Sequence, residues 1–205
     1  MADHLRDALG RRIASLRGQD PPQSLDDLTD ASIEALVASA LGTDAGWVGT
    51  RIPYPGFEAP RTARSTKAPR CSVVLAPHEL ATTAIDAGLF AGLHSSAEEA
   101  IWVEASIVRE WHRCEPCARY AAAFKQHALR AVAQLATDER IVHARVAWVI
   151  LASSEDRARS DLVAWERLAV QEGLPVGAPV VRALAMPDVQ GNAACVTAIV
   201  PVQRL

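Results

Sequence analysis

The chain has 205 residues, a formal net charge of −3, and 50% hydrophobic against 22% charged residues. These are ordinary globular proportions, sufficient for one domain or one domain with a helical appendage. They exclude the global positive field that draws proteins to nucleic acid or anionic lipid, and the longest apolar stretch, Ala193 to Val202 with Thr197 and Pro201 inside it, is too short to cross a bilayer.

From the N-terminus, Met1-Ala2-Asp3-His4-Leu5-Arg6-Asp7 carries charges where a signal peptide needs an apolar run, so a cytoplasmic location with reduced cysteines is expected. Residues 2 to 17 repeat Leu5, Leu9, Ile13 and Leu16 on one helical stripe, which Gly18 and Pro21-Pro22 must end. A second helix follows, with Ile33, Leu36, Val37, Ala40 and Leu41 on one face, Thr29 or Asp30 as cap and Gly42 as stop. Residues 1–50 thus read as an N-terminal helical segment.

Residues 51–70 differ in kind. Pro53, Pro55, Pro60 and Pro69 forbid regular structure, and five basic residues stand against Glu58 alone, a local charge of +4. The segment reads as a basic connector, either a solvated linker or a lid or anion-binding arm that Tyr54 and Phe57 can dock.

Residues 71–205 read as a domain of strands and helices. Cys71 to Leu75 is a short strand, Pro77 opens a helix with Leu80, Ala84, Ile85, Leu89 and Leu93 on its stripe, and residues 97–112 fit a helical stripe through Ala97, Ala100, Ile101, Ile107, Val108 and Trp111. A strand over Ile101 to Val108 is the alternative. Another helical stripe runs from Cys117 through Tyr120, Ala121, Phe124, Ala128, Val132 and Leu135. Then Ile141 to Ala152 reads as a strand, Ser153-Ser154-Glu155-Asp156 as a helix start, Leu162, Trp165 and Leu168 as that helix, and Gly173 as its stop. Two strands, near 179–185 and 193–200, flank a turn at Asp188 to Asn192. The expected fold class is α/β, with α+β the alternative: helices packed on a small mixed sheet.

The chemistry-bearing motif is Cys114-Glu115-Pro116-Cys117 with His112 and Arg113 before it. Proline favours an extended residue ahead of it and suits the first turn of a helix. A helix opening at Pro116 would set the thiols at a positive dipole end, where Arg113 and His112 also favour the thiolate. On that geometry Cys114 is an exposed nucleophile, Cys117 the resolving thiol, and Glu104 a buried proton carrier for thiol-disulfide chemistry. Plain burial of both thiols is the competing reading. Cys71 and Cys195, inside strand candidates, read as core, and Trp102, Trp111, Trp148 and Trp165 as core or interface anchors.

The pair with its internal proline is similar to the thioredoxin active site, and the following order of elements resembles the second half of that fold, with Pro179 where a cis-proline would stand. Arg109-Glu110-Trp111-His112-Arg113 departs from the buried strand that should precede it. A pair set between helices resembles the alkylhydroperoxidase D-like family, but alanine stands at position 121 where that family has histidine. Both resemblances end at a short motif, and no family is assigned from them. A zinc knuckle from His112, Cys114 and Cys117 is a further alternative, although the second CxxC of a strong zinc signal is missing. The last is a non-enzymatic binding or assembly subunit, with a protein partner or a second copy as its ligand.

Overall fold

In the computed structural model, residues 1–20, 23–56, 69–80, 95–187 and 190–205 are described, with 125–128 described through their backbone. The sheet is organised around the strand His143–Ala152, whose residues from Val146 onward are buried on both faces. Val146, Trp148 and Ile150 join one apolar cluster, while Ala147, Val149 and Leu151 join the other. This is the pattern of a strand covered above and below.

In chain order the elements are α1 (Ala2–Arg17), α2 (Asp30–Leu41), β1 (Trp47–Pro53), β2 (Arg70–Ala76), β3 (Ile101–Arg109), β4 (Trp111–His112), β5 (Glu115–Pro116), α3 (Tyr120–Thr137), β6 (His143–Ala152), α4 (Glu155–Gln171), β7 (Val180–Ala185) and β8 (Ala194–Val202). The mixed six-stranded sheet has the order β1-β2-β3-β6-β8-β7, and β4 with β5 forms a separate hairpin. Among the described strands of the sheet, only β3 and β6 pair in parallel, and α3 is the crossover between them. Helices packed on a mixed sheet are what the composition of elements implied. No helix among the described residues is long and apolar enough to cross a membrane.

Each helix buries most of the stripe that its sequence spacing defines, with Ala121 of α3 exposed. Leu5, Leu9, Ile13 and Leu16 of α1 and Ile33, Val37 and Leu41 of α2 enter the cluster on one face of the sheet. On the other face Phe124 stacks on Trp148 with ring centroids 4.9 Å apart, and Trp165 meets Trp148 edge-on at 5.3 Å. The caps follow the sequence signals: the Thr29 side chain accepts from the Ser32 N–H, that of Ser154 from the Arg157 N–H, and Gly173 adopts φ 71 just past α4.

Two expectations are corrected. Residues 101–109 are a strand, not part of a helix over 97–112. Being covered on both faces, β3 carries apolar residues on each side and so loses the two-residue alternation that marks a half-exposed strand. The helix expected at Pro116 begins at Tyr120. The helix expected after Pro77 lies, beyond Leu80, outside the described residues, as do most of the basic connector and two residues of the Asp188 to Asn192 turn.

Candidate functional site

The cysteine motif forms a hairpin. Trp111 pairs with Pro116 and His112 with Glu115, and the two residues between, Arg113 and Cys114, both take positive φ, 54° and 63°. That is the φ signature of a type I′ turn. Pro116 occupies a two-residue edge strand, where a missing N–H is tolerated. The chain then reverses through Cys117, whose N–H donates to the Glu110 carbonyl at 2.7 Å.

A latch fixes this hairpin to the body. Asn192, fully buried, accepts the Trp111 N–H at 3.2 Å through its side-chain oxygen and donates its amide to the Trp111 carbonyl and the Asp26 carboxylate at 2.9 and 2.7 Å. Gln190 accepts the Arg113 N–H and donates to Asp27. Gly191, at φ 99, lies so close to the Trp111 ring that a Cβ there would stand 2.8 Å from it. Burial raises the pKa of Asp26, against the lowering effect of Asn192 and Ser24.

This geometry overturns the thiol-disulfide reading. No two of the four cysteines are close enough to form a disulfide; Cys114 stands in the hairpin turn, and Cys117 lies just past the second strand, three residues short of α3 and not in a helix opening at Pro116. Cys114 is exposed at the turn, Cys117 is half-buried, and Cys71 and Cys195 lie in the core. Burial holds the Cys71 thiol well above its ordinary range and pushes Cys195 up to about 12, so both are inert as nucleophiles. Nor do His112, Cys114 and Cys117 assemble as metal ligands: among the described residues no three His, Cys, Asp or Glu side chains are grouped to hold an ion.

The more built site lies in the sheet. β2 and β3 pair through Val73↔Val103, Val74↔Trp102 and Leu75↔Ile101, and their ladder stops there. Among the described residues, β2 continues against β1 alone, and β3 continues to Arg109 against β6 alone. The sheet is forked from residue 104 onward. Ala105, Ser106, Ile107 and Val108 all line one cleft of about 530 Å³, together with Asp30 and Glu34 of α2 and Ala122 and Ala123 of α3. Successive residues of a strand point to opposite faces, and α2 and α3 cover opposite faces. A cavity touching all of them must lie along the open edge of β3.

Glu104 sits at the base of the fork. Tyr54 donates its hydroxyl to one carboxylate oxygen at 2.5 Å and Ser72 donates to the other at 2.6 Å. The Tyr54 ring, only 4% exposed, lies near-parallel to Trp102 with centroids 6.1 Å apart, so the packing that fixes the ring also aims its hydroxyl. Burial raises the Glu104 pKa; the Ser72 and Tyr54 donors oppose it, and the nearby Glu34 carboxylate adds to it. Burial beside Glu104 also pushes the Tyr54 phenol far above its ordinary range. The phenol therefore stays a donor.

A second cavity of about 370 Å³ shares Asp30, Ile107, Val108, Arg119 and Ala123 with the first and extends the groove to His112 and Cys117. Arg109 crosses it to pair with Asp30 and donates to the Leu28 carbonyl at 2.9 Å. His112 and Cys117 therefore border the groove whose other end lies at the fork beside Glu104, while Arg113 and Cys114 form the hairpin tip. Sequence reasoning missed Tyr54 as a hydrogen-bond donor, and missed Ser72, Ser106, Glu34 and Arg119 altogether. The signal was present in β3: read as a strand, Trp102, Glu104, Ser106 and Val108 share one face, which singles out Glu104 and Ser106 as polar positions in an apolar row.

Comparison with family models, with curated proteins and with solved structures finds no match to this chain.

Proposed function

We propose that the groove along the open edge of β3 binds a small molecule and that Glu104 stores and releases a proton at its inner end. The observation that carries this reading is the coincidence of a buried carboxyl, raised in pKa, with the point where the sheet divides. A continuous sheet would satisfy the β3 backbone with another strand; here residues 105 to 108 border a cavity of the size that small ligands occupy. A carboxyl whose pKa is raised by burial is suited to general acid–base work, because it holds its proton to a higher pH than a solvated glutamate does. In this scheme Glu104 holds the proton, Tyr54 and Ser72 orient its two oxygens, and Ser106 offers a hydroxyl to the ligand. Arg119 and His112 line the outer reach.

The test is a carbon-13 titration of glutamate-labelled protein, with the Glu104→Gln variant assigning the resonance. An apparent pKa above the ordinary 4.5 is expected, with amide shifts at Ser106 on titration. A Glu104 signal titrating at or below the ordinary value would refute the proton-storing role.

A further inference from the structure

The charges lining the groove are unequal in their partners. Arg109 is neutralised by Asp30, and its side chain is only 13% exposed. Glu34 faces Arg51 at 3.8 Å across a pair whose arginine is 72% exposed, an interaction of little strength. Arg119 lines both cavities, yet among the described residues no carboxylate pairs with its guanidinium. It is exposed on the groove, a few residues before Ala122 and Ala123 of the same wall.

We infer, resting on the groove reading above, that the ligand is a small organic anion: Arg119 holds its carboxylate or phosphate group, its apolar body lies against Ile107 and Val108, and its inner end reaches Ser106. A guanidinium presents a planar fork of donors that matches either oxyanion. Two carboxylates, Asp30 and Glu34, stand on the α2 wall, which works against a polyanion such as a nucleic-acid strand threading the groove and favours a compact ligand with one charged end.

Three probes separate the possibilities: benzoate, phenyl phosphate and the neutral isostere benzamide, each titrated into nitrogen-15-labelled full-length protein while the Arg119 side-chain Nε–H and the Ser106 and Ala123 amides are followed. Saturable shifts at these positions with benzoate or phenyl phosphate are expected, and whichever binds tighter identifies the oxyanion. Benzamide should bind at least tenfold more weakly. Arg119→Gln should weaken anion binding at least tenfold, Arg119→Lys should recover only part of it because an ammonium lacks the planar fork, and Arg11→Gln, at an exposed position of α1, should leave it unchanged. Benzamide binding as tightly as the anions, or anion binding indifferent to Arg119→Gln, overturns the inference while leaving the groove as a binding site. Failure of all three probes to shift these resonances also overturns it, and the Glu104 titration then decides separately whether the proton-storing role survives.

Discussion

The cysteine hairpin and the fork flank the same groove and are built in opposite ways. In the hairpin the Cys114 side chain is outward and the burial is in the support: Asn192 and Asp26 lie at 0% and 2% exposure beneath the turn. In the fork the polar group itself is inside, with Tyr54 and Ser72 as its immediate neighbours. A motif is conspicuous by residue type, whereas a shifted pKa depends on what surrounds the residue. Of two cysteines close in sequence one ended in a solvated turn and the other half-buried beside it, and a lone glutamate in an apolar row ended as a buried acid with a raised pKa.

The largest expected effect lies under the hairpin. Asn192→Ala removes a donor from Asp26 and leaves both backbone groups of Trp111 without a side-chain partner. About 2–4 kcal/mol of stability should be lost, since buried polar partners are left unsatisfied. The loss should depend on pH in a defined sense. Asn192 lowers the Asp26 pKa, so its removal lets the folded state hold that proton to higher pH; the damage should be smaller in acid, with Asp26 protonated, and larger toward neutrality. Urea midpoints at pH 4 and pH 7 measure it, and equal losses at both would mean that the latch works by packing alone.

The fork gives the second effect. A carboxyl whose pKa is raised on folding binds its proton more tightly in the native state, so stability falls as pH rises from the ordinary 4.5 toward the raised value. Glu104→Gln should remove that slope. The difference between wild type and variant isolates it from Asp3, whose pKa is lowered and whose contribution runs the opposite way. Tyr54→Phe removes a donor to the ionised form and should raise the Glu104 pKa further, at a cost of about 1–2 kcal/mol near neutrality. If Tyr54→Phe lowers that pKa, the direction of the hydrogen bond assigned here is wrong.

The same contrast explains which parts of the molecule were legible. Helices α1, α2, α3 and α4 have one buried face each, so their stripes are written in the spacing of Leu5 to Leu16, Ile33 to Leu41, Tyr120 to Leu135 and Leu162 to Ala169. β6 and β8 showed as apolar, β-branched runs bounded by turn residues. β1 did not: it is an edge strand with a mostly exposed side, and Gly49, Arg51 and Pro53 argue locally against a strand that β2 imposes by pairing. Of the site, Glu104 was noticed because a charge interrupted an apolar row. Its neighbours were not, because Tyr54 and Ser72 lie 50 and 32 positions away and meet it only through the sheet.

The smallest effect tests whether the hairpin tip has chemistry of its own. Arg113 adopts φ 54 as the first central residue of its turn, a conformation disfavoured for most side chains and natural for asparagine. If this arginine activated a thiolate, replacing it would damage function. If it is only a turn residue, Arg113→Asn should stabilise the protein by about 0.5 kcal/mol, a gain within the usual range for relieving backbone strain. Chemical denaturation compared with Arg11→Gln, a neutral surface change, gives the baseline. A loss of stability in Arg113→Asn would show that the guanidinium holds something at the hairpin, and would move attention back from the fork to the turn.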